Sequence, residues 1–276
     1  RAREKLVKLA KRLGVELRQS YMRVGKFALV KYQRYAHAKQ FKRANRALRT
    51  LKTYLGRIIR DISRKIEGDA GLDAKFAWLL SLARRVREQQ RGPKLYSLHA
   101  PEVECIGKGK PHKPYEFGVK VSVATPLKHS KGGQFVAHVQ ALPGNPYDGH
   151  TLAEVIPAIE QLIGHTIERL HADAGYRGHN APSDYRFKVY TSKQKRRVTP
   201  QIKREMRRRS AVEPVIGHLK EDHRMGRNYL AHRHGDFNNA VLAAVGYNFR
   251  RLIRWLTTLF RLCLAVLFPQ TVALPA

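Results

Sequence analysis

The run HADAGYRG has the residue types best suited to catalytic chemistry in this chain. Asp173 follows a short apolar run, residues 166–172, and precedes small residues that include Gly175. In α/β folds, carboxylates that handle ligands stand at the C-terminal ends of buried parallel strands. Gly175 allows a sharp turn there, so Tyr176 and Arg177 would flank the carboxylate. The pattern predicts a functional Asp173, with an ordinary loop or capping aspartate as the alternative.

A second group of residues follows in the run RSAVEPVIGHLK. Arg209, Glu213 and Lys220 are separated by four and seven positions, which places all three on one face of a continuous helix. Pro214 complicates this prediction, because a proline inside a helix lacks the backbone donor. Either the helix begins at Pro214 and leaves Arg209 outside, or it continues with a kink. In both cases Glu213 and Lys220 share a face, and a surface ion-pair ladder is the non-catalytic alternative.

The elements that would position these residues lie in the second part of the chain, residues 93–276. Residues 115–125 and 134–142 predict an antiparallel strand pair, residues 151–163 a helix, and residues 187–191 a further strand. Very basic helices are expected over residues 196–209 and again over residues 236–268. Strands followed by alternating strands and helices indicate an α/β domain with a mixed sheet.

The first part of the chain, residues 1–92, is predicted to be a separate basic helical region. Residues 1–94 contain 27 Lys or Arg and 7 Asp or Glu. Apolar residues recur every three or four positions within residues 35–66, and residues 72–90 predict another helix. We expect two to four helices packed as a hairpin or small bundle. Such a region would either hold nucleic acid or form a solvated insertion.

The overall charge narrows the classes of partner. The chain has 276 residues, a formal net charge of +33 and 43% hydrophobic residues, so it is a folded protein rather than a disordered polycation. A folded protein this basic requires a polyanion, most often nucleic acid, with a membrane surface as the alternative. Basic runs next to the two motifs predict phosphate contacts, or else a solvated face; their residues are Lys195, Arg196, Arg197, Arg204, Arg207 and Arg208.

Several other chemistries lack a sequence basis. Cys105 and Cys263 cannot form a disulfide framework, and no paired-cysteine zinc motif or phosphate-binding glycine loop is present. Residues 252–268 are apolar enough to suggest a membrane span. Arg254 and Arg261 stand seven positions apart, however, and therefore on one helix face, which favours an amphipathic helix that packs on a domain or a partner.

Taken together, the motifs resemble the end of a DDE transposase from bacterial insertion sequences. The resemblance lies in Asp173, Ala174, Gly175 and Tyr176, followed by the R-x3-E-x6-K pattern of Arg209, Glu213 and Lys220. Residues 98–118 and the runs PGNPYDGHT and EPVIGHLKEDHRMGRNYL resemble the IS-five-like branch in particular. The resemblance covers most of residues 93–255, and more loosely the basic region before it.

This resemblance implies a fold, a cofactor and a substrate. It implies an RNase H-like mixed sheet that lacks its first strand here, with an N-terminal basic helical insertion and a C-terminal helix. Asp173 and Glu213 would bind Mg²⁺ or Mn²⁺, Lys220 would hold a phosphate near the DNA terminus, and Arg209 would pair with a carboxylate or phosphate. The partner would be double-stranded DNA, bound by a homo-oligomer in the cytoplasm at the nucleoid, without membrane association.

Two departures from the family pattern bear on activity. Met206 occupies a position where the family has tyrosine. The family also needs a first aspartate on a strand, and the aspartates before residue 115 lie in helical or turn sequence, so we expect the chain to begin just after that strand. The substitutes that remain open are Glu102, Glu104 and Glu116. The chain is therefore predicted to be an incomplete transposase, a catalytically dead DNA-binding remnant, or an unrelated basic nucleic-acid binder.

Overall fold

The computed structural model describes residues 1–89, 94–108, 111–112, 114–128 and 130–268. The chain divides into two compact units, Arg1–Val103 (unit 1) and Glu104–Ala276 (unit 2). The boundary expected between residues 92 and 93 lies outside the described residues. The chain is a mixed α/β protein, as expected, in which helices predominate over small sheets.

Unit 1 is helical throughout its regular structure. Its described helices are α1 (Ala2–Arg12), α2 (Met22–His37), α3 (Phe41–Ile66) and α4 (Ala70–Glu88). The prediction of two to four packed helices is confirmed. The single long segment expected over residues 35–66 is instead divided between α2 and α3, with a left-handed Lys39 at the break. Asp69 caps α4, because its carboxylate accepts the backbone N–H of Leu72 at 2.9 Å.

The core of unit 1 is one continuous apolar cluster formed by α1, α3 and α4. Its most deeply buried side chains are Leu6, Ile58, Ile62 and Phe76. On α3 the buried residues recur at helical spacing, so one side of this helix faces the core and the other faces solvent. Asp61 is buried beside this core and accepts the backbone N–H of Arg18 at 2.9 Å.

Unit 2 contains short strands that pair two by two within the described residues. The strands are β1 (Glu104–Gly107), β2 (Tyr115–Gly118), β3 (Lys120–Ala124), β4 (His138–Leu142), β5 (Leu170–Ala172) and β6 (Val189–Thr191). β1–β2 and β3–β4 are antiparallel, whereas β5–β6 is parallel. The predicted antiparallel pair is confirmed for β3 and β4. The single strand expected over residues 115–125 is wrong, because Gly118 has a φ of 140° and separates β2 from β3.

The helices of unit 2 are α5 (Leu152–Ile163), α6 (Pro200–Arg208), α7 (Val212–Glu221) and α8 (His232–Leu267) within the described residues. Thr199 caps α6 through its hydroxyl oxygen, so this helix begins four residues later than expected. Unit 2 has three smaller apolar clusters in its described part, and Val215 and Leu219 of α7 pack in one of them with Tyr247 of α8.

The C-terminal helix α8 is buried only in its first half. The buried residues end at Tyr247, and next to it Asn248 both accepts the backbone N–H and donates to the backbone carbonyl of Val136, each at 2.9 Å. Beyond this point most side chains are exposed, including Ile253, Phe260 and Leu262. No helix in the described residues is both long and apolar enough to cross a bilayer.

Candidate active site

Arg209 contacts the acidic residues of both sequence motifs. Its Nη1 lies 3.9 Å from Oδ1 of Asp173, and its Nη2 donates a hydrogen bond of 3.1 Å to Oε1 of Glu213. The Arg209 side chain is 19% exposed, whereas those of Asp173 and Glu213 are 68% and 64% exposed. A mostly covered guanidinium therefore joins two carboxylates that remain open to solvent.

Asp173 directly follows the parallel strand β5, as the sequence predicts. β5 pairs with β6, with Ala172 opposite Thr191, and both of these residues are buried. The chain then turns through a short 3₁₀ helix, Ala174–Tyr176, and the Asp173 carboxylate accepts the N–H of Ala174 at 3.0 Å. Asp173 thus also acts as a cap, so the capping alternative and an exposed carboxylate are both present at this position.

Glu213 lies in the first turn of α7, and Arg209 lies before that helix. A 3₁₀ turn, Arg209–Ala211, joins α6 to α7, which begins at Val212. Pro214 is therefore the third residue of α7, where backbone N–H groups lack a partner within the helix, so the proline breaks no hydrogen bond. The helix begins two residues earlier than one of the expected alternatives, and Arg209 still reaches Glu213 across one turn.

Lys220 lies two turns after Glu213 and contacts a different carboxylate. Its Nζ is 3.5 Å from Oε2 of Glu116 on β2, and Nζ of Lys108 is 2.8 Å from the same oxygen. Glu116, which is one of the three glutamates considered as substitutes for a first aspartate, therefore forms an ion pair with a motif residue. Glu104 instead accepts the backbone N–H of Gly144 at 2.6 Å.

Asp148 is a carboxylate next to the DAGY turn that our interpretation of the sequence did not single out. Nζ of Lys120 lies 2.8 Å from its Oδ1, and a Cβ at Gly175 would lie only 3.1 Å from its Oδ2. Burial raises the pKa of Tyr176, and the charges of Asp148 and Asp173 raise it further. The signal available in the sequence was the PYDGHT run, which was noted for its resemblance alone.

Glu205 connects the strand that precedes Asp173 to the basic helix α6. Its carboxylate lies 3.0 Å from Nε2 of the buried His171 and accepts hydrogen bonds from Arg169 and Gln201. Burial alone would raise the pKa of Glu205, but these hydrogen bonds together hold the pKa below its ordinary value. An ionised glutamate therefore anchors α6 against β5, a contact that neither motif predicted.

The predicted metal ligands have the oxygen atoms that a divalent cation prefers, but there are only two of them. Asp173 and Glu213 offer exposed carboxylate oxygens, which Mg²⁺ and Mn²⁺ prefer. Among the residues that the structure describes, however, no group of three or more His, Cys, Asp or Glu side chains could hold a metal ion. The described site therefore brings together two carboxylates, both in contact with Arg209.

The predicted DNA-binding residues are all exposed on unit 2. Lys195, Arg196 and Arg197 lie in the turns between β6 and α6, whereas Arg204, Arg207 and Arg208 lie on α6. Arg208 donates to the backbone carbonyl of Leu127 at 2.7 Å. Since α6 runs directly into the turn that carries Arg209, its exposed cations precede Glu213 by only five to nine residues.

Phe187 is an exposed aromatic residue beside these cations. The guanidinium of Arg197 lies 4.0 Å from its ring centroid and that of Arg186 lies 5.6 Å away. The phenyl ring is 60% exposed. Cation–π contacts of this kind hold the two guanidinium groups at the surface.

Comparisons with known proteins identify a short similarity. No protein family profile matches the chain, and no solved structure matches it. A Rhizobium meliloti protein described as "Uncharacterized protein ORF8 in nfe locus" is 56% identical over 41 residues. These residues make up 15% of this chain and 20% of that protein, so the match spans a fifth of the relative's length. The similarity shows no activity and no family.

Proposed function

We propose that this chain is a DDE-type DNA transposase of an insertion sequence, with an RNase H-like catalytic unit. The observation that carries the proposal is the contact of Arg209 with both Asp173 and Glu213. These residues belong to two motifs that are separated in sequence and were associated through a resemblance to one family. Their convergence at one point of unit 2 is what that resemblance requires.

The topology of unit 2 also supports an RNase H-like interpretation. An antiparallel pair, β3–β4, precedes a parallel pair, β5–β6, and an RNase H-like sheet contains both strand directions; within the described residues the two pairs are separate two-stranded sheets. Asp173 follows the C-terminal end of β5, where α/β folds place functional carboxylates. Glu213 is supplied by a later helix rather than by a strand.

Each residue has a role that its chemistry suits. Asp173 and Glu213 would hold Mg²⁺ or Mn²⁺, and the bound ion would stabilise charge on the attacking and leaving oxygens of a phosphoryl displacement. Arg209 would orient both carboxylates through the fixed fork of its guanidinium group. Lys220 would bind a phosphate near the DNA terminus as a point charge. The exposed cations of α6 would hold the flanking duplex through its phosphates, with more than one copy of the chain on the paired ends.

The alternative is a DNA-binding module without catalysis. The observation in its favour is that, among the described residues, no group of three or more His, Cys, Asp or Glu side chains could hold a metal ion. Both alternatives predict duplex binding that weakens steeply with salt, since both use exposed cations. Strand cleavage is therefore the measurement that separates them.

The test measures cleavage of an end-labelled duplex that carries the ends of the element, as a function of the concentration of Mg²⁺ or Mn²⁺. The full-length gene product is compared with Asp173→Asn and Glu213→Gln. Loss of a metal ligand removes several kcal/mol of transition-state stabilisation, so each variant should cleave at least about 1,000-fold more slowly. Glu221→Gln is the matched control, because Glu221 is exposed on the same helix α7.

The outcomes distinguish the two functions. Cleavage by the parent and by Glu221→Gln, together with its loss in the other two variants, supports the transposase. Cleavage that is unchanged in Glu213→Gln overturns the assigned site. A parent that binds the duplex but does not cleave it in either metal overturns the catalytic proposal and leaves the binding module.

A further inference from the structure

We propose that one face of helix α3 in unit 1 is a docking surface for about one turn of duplex DNA, bound through phosphates and without sequence preference. We call it the basic α3 face. The residues that form it are Lys42, Arg46, Arg49, Arg57, Arg60 and Arg64, all of which are exposed. None of them belongs to the site on unit 2. The choice of DNA as the polyanion rests on the proposed function.

The spacing of these residues makes a single narrow row. They recur at intervals of three or four positions, with one interval of eight in which Thr53 occupies the intermediate position. At 3.6 residues per turn the six side chains fall within a sector of about 80°. The row extends from residue 42 to residue 64, which corresponds to about 33 Å along the helix axis. One turn of duplex DNA is about 34–36 Å long, so the lengths match.

The charge of this face has little internal compensation. Residues 22–66 contain fourteen Lys or Arg and one acidic residue, Asp61. Asp61 is buried, accepts the N–H of Arg18, and lies 3.8 Å from the Arg64 guanidinium. Within the described residues, the other cations of the face contact no carboxylate. Like charges three or four positions apart oppose helix formation, and a polyanion relieves that repulsion.

One arginine of the face is held in position before any ligand binds. Nη1 of Arg57 donates to the Tyr21 hydroxyl at 3.3 Å, and its guanidinium lies 5.8 Å from the Tyr21 ring centroid. Tyr21 in turn stacks on Tyr54, with 4.7 Å between the ring centroids. A guanidinium that is already ordered loses less conformational freedom when it contacts a phosphate.

The opposite side of α3 argues against a membrane surface as the partner. A helix that lies in a membrane interface inserts apolar residues beside its basic ones. On α3 the apolar residues Leu55, Ile58, Ile59, Ile62 and Ile66 are buried in the core of unit 1. Between residues 42 and 64, α3 exposes no large apolar side chain beside this row of cations, which suits a row of phosphates better than a bilayer.

The experiment measures the affinity of the full chain for a labelled 30-base-pair duplex of random sequence as a function of KCl concentration. The test variant carries Arg46→Gln, Arg49→Gln and Arg60→Gln. Each lost phosphate contact reduces the slope of log affinity against log salt by about 0.9. The slope should therefore become less steep by about 2.7, and the affinity at 0.15 M KCl should fall on the order of 100-fold.

The matched control removes the same charge from other helices of unit 1. Lys8, Lys11 and Lys75 are exposed on α1 and α4, and their replacement by Gln should change the slope by less than about one contact. Circular dichroism of both triple variants establishes that they remain folded. Equal losses in the two triple variants would mean that the duplex senses net charge alone, which overturns the inference.

The remaining outcomes separate this inference from the proposed function. If the test variant had the same slope of log affinity against log salt as the parent, the DNA would bind elsewhere. That result would overturn the inference, whatever the cleavage assay shows. Tighter binding to duplex RNA or to anionic phosphatidylserine vesicles than to the DNA would also overturn it. The test variant could show the less steep salt dependence while the parent shows no metal-dependent cleavage. That result would support DNA binding by the basic α3 face and overturn the proposed transposase function.

Discussion

The two units of this chain organise charge and apolar surface in opposite ways. Unit 1 buries one continuous apolar cluster and turns like charges outward on the basic α3 face. Unit 2 divides its apolar residues among three smaller clusters and brings opposite charges together around Arg209. In each unit one helix carries core side chains on one side and charged side chains on the other, α3 in unit 1 and α7 in unit 2, but only α7 also carries a carboxylate that contacts Arg209.

This difference teaches where stability and activity can be changed independently. A core substitution in unit 1 should lower its free energy of unfolding without changing the carboxylate site. A core substitution on α7 should lower the free energy of unfolding of unit 2 and also disturb the carboxylate site. Leu219 and Val215 are buried on the same helix that carries Glu213 and Lys220. The predictions below test that contrast.

The largest expected effect is that of Phe76→Ala in unit 1. Phe76 is fully buried on α4, and its truncation leaves a cavity in the continuous cluster. The free energy of unfolding of unit 1 should fall by about 3–5 kcal/mol, measured by urea unfolding of the full chain. Trp78→Ala is the control on the same helix, since Trp78 is 57% exposed, and it should cost less than about 1 kcal/mol. If Phe76→Ala lowered the free energy of unfolding by less than about 1 kcal/mol, the description of unit 1 as one continuous core would be contradicted.

The second prediction concerns Leu219→Ala on α7. The smaller cluster around Leu219 can relax more than the core of unit 1, so we expect a loss of about 2–4 kcal/mol in the stability of unit 2. Unlike Phe76→Ala, this variant should also slow metal-dependent cleavage under conditions in which it remains folded. Leu162→Ala, at a 66% exposed position of α5, is the control. Unchanged cleavage by folded Leu219→Ala would remove the contrast between the units.

The third prediction follows from the lowered pKa of Glu205. A carboxylate whose pKa is lower in the folded state stabilises that state above its ordinary pKa of 4.5, and the contribution is lost as pH falls through the lowered value. Unit 2 of the parent should lose stability as the pH falls below about 4.5, and Glu205→Gln should lose less over the same range.

The measurement for Glu205 is a series of thermal melts across that pH range. At pH 7 the substitution should cost about 1.5–3 kcal/mol, the usual size for hydrogen bonds to a charged group. Unit 1, which does not contain Glu205, should melt identically in both proteins at each pH. Parallel pH profiles of parent and variant in unit 2 would show that Glu205 is not ionised in its contacts with His171 and Arg169.

The smallest expected effect compares the same kind of change in both units. Asp69 caps α4 of unit 1 and Thr199 caps α6 of unit 2. Asp69→Ala and Thr199→Ala should each cost about 1 kcal/mol of stability in their own unit, measured by urea unfolding. Thr199→Ala should in addition weaken duplex binding, because α6 carries exposed cations. If Asp69→Ala weakened duplex binding as much as Thr199→Ala, the cap of α4 would affect DNA binding as well as stability. The expected difference between the two caps would then be contradicted.

The sequence predicted the elements that depend on periodicity. The apolar residues of α3 recur at helical spacing and a short apolar run precedes Asp173, so the basic helical unit and the strand β5 were predictable. The break at Gly118 was missed, because the residues on both sides of it have strand propensity and only the left-handed backbone at the glycine divides them.

The site was predictable only as far as its motifs. Asp173, Arg209 and Glu213 were expected to act together, and the structure brings them into contact. Asp148 and Glu205 were missed because their partners are distant in sequence. Lys120 lies 28 positions from Asp148, and His171 lies 34 positions from Glu205. No short-range spacing in the sequence therefore predicts either contact.

The hydrogen bonds between Asn248 and Val136 also set an order of events during protein synthesis. The two residues are 112 positions apart. A ribosome that adds about 5–20 residues per second needs about 6–22 s to produce the chain between them. Once β4 is complete, six residues after Val136, the N–H and C=O of Val136 still lack their Asn248 partner and hydrogen-bond to water for most of that interval. Unit 1 is synthesised before that interval begins, so the nascent chain already contains all four basic helices while unit 2 still lacks its last helix α8.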